Sequence, residues 1–85
     1  MAAIYVLDVP EFRSLVSLST ERDGYSVTRL DSGYFRIESP GAIEFTRKEL
    51  KFEPAIWYGC ITGGLRGRIA QFDRDTLRVV DAEPA

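Results

Sequence analysis

Gly63 and Gly64 join two runs of the residue types that suit a pleated surface, IWYGCIT before them and LRGRIAQF after them. A two-residue glycine connection supplies the positive φ that tight hairpin turns need, which predicts a hairpin about this doublet. With Thr62 opposite Leu65, Tyr58 meets Ile69 and Cys60 meets Gly67 on one side, while Trp57, Ile61, Arg66 and Arg68 share the other. The first side reads as core and the second as surface. Gly59 and Gly67 fall inside the two strands, where glycine marks a bend, a bulge or a close backbone approach.

The rest of the chain is read around that hairpin. Residues 3–7 are a short apolar run that suits a first strand. Asp8 is placed to cap a helix with Pro10 in its first turn, where a missing N–H donor costs nothing. Val9, Phe12, Leu15, Val16 and Leu18 follow helical spacing, and residues 21–24 (ERDG) are a turn signal that ends the helix near Ser19. From Tyr25 onward the period changes to two. Residues 25–30 and 34–38 flank Asp31, Ser32 and Gly33 as a hairpin, and a loop of Ser39, Pro40 and Gly41 pairs Ile37 with Ile43 and Phe35 with Phe45. Residues 47–53 fit a helix, through a Thr46/Glu49 capping box, or a strand, through alternating Leu50 and Phe52. A last hairpin turns at Asp73, Arg74 and Asp75 and sets Leu77 and Val79 on the same side as Ile69. The expected fold is α+β: a small curved, mostly antiparallel sheet or partly open barrel with one N-terminal α-helix packed on it. One domain spans residues 1–85, with residues 82–85 a loose tail.

Composition narrows the chemistry. Of 85 residues, 45% are hydrophobic and 28% charged, as in an ordinary folded domain, so extensive disorder is not expected. A net charge of −2 opposes nonspecific attraction to nucleic acid or anionic membranes. No apolar run approaches the roughly 18 residues of a membrane span, and the N-terminus does not read as a secretory signal. One cysteine makes no internal disulfide, which agrees with a cytoplasmic location.

With no histidine, the chain supplies no Ser-His or Cys-His pair and no imidazole metal ligand. Cys60 is read as a buried structural thiol. Glu38, Glu44, Glu49 and Glu53 alternate with apolar neighbours as solvated residues do. Asp73 and Asp75 lack the glycine and glutamate of a calcium loop, and the glycines match neither a phosphate loop nor a dinucleotide fingerprint. No catalytic residue, metal site or cofactor is assigned.

The one functional lead is the outward face of the last strands, where Trp57, Arg66, Arg68, Arg78 and Gly59 come together. A tryptophan beside arginines is the composition of an interface rich in binding energy. The leading expectation is a noncatalytic accessory or interaction protein that binds a larger protein partner, or a second copy of itself, through this face or a free sheet edge. The alternative is an anionic ligand or single-stranded nucleic acid on the same face, with Trp57, Tyr58 or Tyr34 stacking on bases. A third is an enzyme that uses carboxylates such as Glu38 and Glu44 alone.

Overall fold

The N-terminal apolar run forms strand β1 (Ala2–Leu7), as its composition predicts. The predicted hairpin at Asp31, Ser32 and Gly33 forms from β2 (Ser26–Arg29) and β3 (Tyr34–Ser39), with Arg29 opposite Phe35. In the computed structural model, which describes residues 1–81, β3 also pairs with β1, and β1 pairs in turn with the two-residue β5 (Leu65–Arg66). The first sheet therefore runs β2-β3-β1-β5. A second is made of β4 (Ala42–Thr46), β7 (Thr76–Val80) and β6 (Arg68–Phe72) in the order β4-β7-β6. All pairings are antiparallel, and neither sheet closes into a barrel. The predicted tail at residues 82–85 lies outside the described residues.

Alternation decides which side chains face the core. Val27, Ile37, Ile4 and Leu65 lie in one row across the first sheet, and Ile43, Val79 and Ile69 in one row across the second. Ile4, Ile37, Ile43, Phe45, Leu77 and Val79 are fully buried. The predicted pairing of Ile37 with Ile43 does not form. Ile37 lies opposite Ile4 and Val27, Ile43 lies opposite Val79, and the chain changes sheets at Pro40 and Gly41. Either arrangement puts four apolar residues on a common side. Phe35 likewise lies opposite Val6 and Arg29 rather than Phe45, because β1 occupies the edge of β3 that the short loop would have given to β4.

Helix α1 (Arg13–Glu21) follows a single 3-10 turn at Pro10–Phe12, and Phe12, Leu15 and Ser19 are buried. Ser19 Oγ donates to the Leu15 carbonyl at 2.8 Å, so its burial leaves no hydroxyl unmet. Asp8 does not cap this segment. Val9 occupies the cap position without a side-chain bond, and the Asp8 carboxylate pairs with Arg29 at 3.0 Å. The first four residues of the ambiguous stretch 47–53 are helical: α2 (Arg47–Leu50) carries both bonds of the Thr46/Glu49 capping box.

The largest departure is at residues 54–59. These form helix α3 (Pro54–Gly59), with Pro54 at its first position and Glu53 extended before it, so the hairpin about Gly63 and Gly64 is absent. The reason is Trp57. Burying an indole removes roughly 150–250 Å2 from water, about 4–6 kcal/mol at 25 cal/mol per Å2. Strand preferences span only about 1 kcal/mol. On a helix the ring reaches the core, where it is fully buried against Phe72 at 5.7 Å and donates Nε1–H to the Asp73 carbonyl at 2.7 Å. The glycine pair serves a different need. A Cβ on Gly63 would lie 2.6 Å from the Tyr34 ring and closer still to the Tyr5 carbonyl oxygen, so only glycine lets this loop lie against β1. Gly67, at φ +116°, meets the Val80 carbonyl in the same way where the chain bends from β5 into β6.

Candidate functional site

Helix α3 removes the indole from the predicted face. Trp57 belongs to the core, and Gly59 ends the helix at a position where an added Cβ would make ordinary contact with the Phe12 ring. Trp57 is therefore unavailable to stack on a base. The three arginines are all exposed, but they are divided between the two sheets rather than gathered on the single face predicted. Arg68 lies opposite Val80 and Arg78 opposite Gln71 and Glu44 on the outer face of the second sheet, and Arg66 lies beside Ala3 on the outer face of the first. Arg78 is engaged by Glu44 at 3.3 Å. Arg66 and Arg68, on either side of Gly67, form no ion pair among the described residues.

Beside these arginines the core opens. Strand β6 pairs with β7 on one edge only, and Arg68, Ile69, Ala70 and Gln71 are all exposed. Ile69 is opposite Val79, so both point to the inner side of the sheet. Val79 is 0% exposed and Ile69 is 43%. Phe72, opposite buried Leu77, continues the strip, and the Tyr58 ring lies 5.4 Å from it with Tyr58 48% exposed. Ile69, Phe72 and Tyr58 thus form an apolar strip at the edge of the core, on the side of the sheet opposite the Arg68 side chain. The register of the last hairpin had already set Ile69 on the core face. Its exposure was not legible, because nothing local says that α3 stops short of covering it.

The ionisable groups around the fold are structural in their surroundings. Burial pushes the Cys60 thiol up to about 12, which keeps it protonated and unreactive. Asp73 is held below the usual carboxylate range by hydrogen bonds from the Gln71 side chain and from the backbone N–H groups of Asp75 and Thr76. Burial raises Glu49, but the Thr46 N–H and Arg22 outweigh it and leave that carboxyl below its ordinary value. Arg22 also lies over the Phe45 ring at 4.6 Å and donates to the Glu44 carbonyl. Among the described residues no three thiol or carboxylate side chains gather as a metal-binding group, and no helix is long and apolar enough to cross a membrane. The sequence matches no protein-family model and no curated protein.

Proposed function

We propose that this chain is a noncatalytic interaction protein that docks a larger protein partner on the open side of the second sheet, over Ile69, Phe72 and Tyr58. The observation that supports this is Ile69 itself, a residue on the core face of its sheet that is 43% exposed while its cross-strand neighbour Val79 is sealed. An apolar strip left open in this way lowers its free energy when a partner covers it.

The partner's chemistry follows from what surrounds the strip. The bulge between Ile69 and Gln71 and the charge of Arg68 break up the edge ladder, so side-chain burial over Ile69 carries the binding and backbone pairing adds little. Arg68, exposed on the other face of the same free strand, favours a partner that carries a carboxylate around the β6 edge, and a second copy would bring the same cation there. In the same reading α1 packs on the curved sheets, as its contacts with β2 and β3 support, and leaves β6 as the uncovered edge of a single cytoplasmic domain.

A photo-crosslinking residue at Ile69, with one at exposed Glu11 as control, identifies the partner in the native cell. The purified partner should then lose at least about tenfold in affinity with Ile69→Asp, while that variant melts as the wild type does. Equal capture from Glu11, or unchanged affinity with Ile69→Asp, contradicts the proposal.

A further inference from the structure

A second feature, at the turn end of the last hairpin and lined by none of Ile69, Phe72 or Tyr58, has no part in that docking. The corner between β4 and α2 and the turn of the last hairpin enclose a solvent-open concavity of about 600 Å3 lined by Thr46, Arg47, Lys48, Lys51, Phe52, Asp75 and Thr76. Its volume is in the range of small-ligand sites. Three cations face one carboxylate in it, within a chain whose net charge is negative. The ion pairs of the described residues engage Arg22, Arg29, Arg36, Arg78 and the N-terminus, and none engages Arg47, Lys48 or Lys51.

Two further observations set this cluster apart from ordinary surface cations. The Arg47 guanidinium is fixed by two backbone carbonyls, donating from Nε to Arg74 at 2.8 Å and from Nη1 to Phe52 at 3.2 Å, which leaves Nη2 undirected. Its own N–H donates to the Asp75 carbonyl at 2.8 Å, tying α2 to the hairpin turn. A guanidinium already immobilised loses little further freedom on binding. Lys51 is at φ 59°, and among the described residues it is the only non-glycine with positive φ. Glycine or asparagine is the usual occupant of such a left-handed helix end. Lysine there retains backbone strain and gains an ammonium group at the concavity.

We propose that this concavity binds the phosphoryl group of a small phosphorylated molecule. Nη2 of Arg47 and the ammonium groups of Lys48 and Lys51 supply charge-assisted donors. Thr46 Oγ1 already accepts from the Glu49 N–H at 3.2 Å, so its own hydroxyl proton is free to donate, and Thr76 supplies another hydroxyl. Donors spread over four or five side chains match a tetrahedral dianion with three terminal oxygens better than a planar carboxylate, which a single Arg fork satisfies. Asp75 accepts a hydroxyl or amine proton from the rest of the ligand.

The probes are inorganic phosphate and phenyl phosphate, followed by amide chemical shifts, with sodium chloride at matched ionic strength as control. Saturable shifts confined to residues 46–52 and 74–76 are expected. Tighter binding of phenyl phosphate assigns the site to phosphate esters, and equal binding assigns it to free phosphate. Lys51→Gly separates binding from folding: it relieves the left-handed strain, so its melting temperature should equal or exceed wild type, while affinity falls roughly tenfold. Lys48→Gln, at an exposed position, is the second variant. Shifts that fail to saturate, that chloride reproduces, or that both variants leave unchanged overturn the proposal.

Discussion

Replacing Trp57 by phenylalanine measures how much the fold depends on an indole that a hairpin would have left in water. The substitution removes the Nε1–H bond to the Asp73 carbonyl, worth about 1 kcal/mol. It also leaves the space of the missing ring atoms unfilled beside Phe72, which costs about 1 kcal/mol more. The total of about 2 kcal/mol is a large share of the roughly 4–13 kcal/mol expected for a chain of this length, and corresponds to a fall of about 8–16 °C in melting temperature. Trp57→Ala should cost about 3–5 kcal/mol, clearly more than the phenylalanine variant. Urea titration followed by circular dichroism gives the free energies. Because Trp57 is the sole tryptophan, its fluorescence reports its environment directly, with blue-shifted emission and little quenching by acrylamide in the native state. A Phe variant within about 0.5 kcal/mol of wild type, together with emission typical of a hydrated indole, would refute the helical placement of residues 54–59.

Three other consequences are as direct. Gly67→Ala forces a Cβ against the Val80 carbonyl at a φ of +116°, so it should cost at least about 2 kcal/mol, and a stability near wild type would show that the bend from β5 into β6 is elsewhere. Glu49 lies below its ordinary value when folded, so its contribution is present above its unfolded pKa of about 4.3 and is lost as pH falls through the lower folded value. The gap in urea midpoint between wild type and Glu49→Gln should therefore shrink from about pH 6 to about pH 3, and a constant gap would contradict the pairing with Arg22 and Thr46. The Cys60 thiol, buried and pushed up to about 12, should resist thiol reagents until the chain unfolds, and rapid labelling of the native protein would place it at the surface.

What the sequence carried well was local. Gly33 marked the β2–β3 turn, Asp73 to Asp75 marked the β6–β7 turn, and the Thr46/Glu49 spacing marked α2, because each signal lies within a few residues of the structure it sets. The errors came where a distant group decides. Trp57 becomes helical because its ring and its N–H find Phe72 and Asp73 in the last hairpin. Gly63 is required by Tyr5 and Tyr34, and Ile37 and Ile43 are separated by partners contributed by β1 and β7. The site shows the same division. Alternation set Ile69 on the inner face and Arg66, Arg68 and Arg78 outward, but the single face expected for the arginines is divided between two sheets, and the uncovered edge at β6 depends on strand order, which no local pattern encodes.

Solvent accessibility of Ile69 in the free chain decides whether there is a docking strip at all. With a soluble paramagnetic probe, the Ile69 methyl and Tyr58 ring resonances should broaden strongly while those of Val79 and Leu77 stay sharp, and the bound partner should abolish the difference. Ile69 methyls as protected as those of Val79 in the free protein would mean that the core closes over β6 and offers a partner nothing to cover.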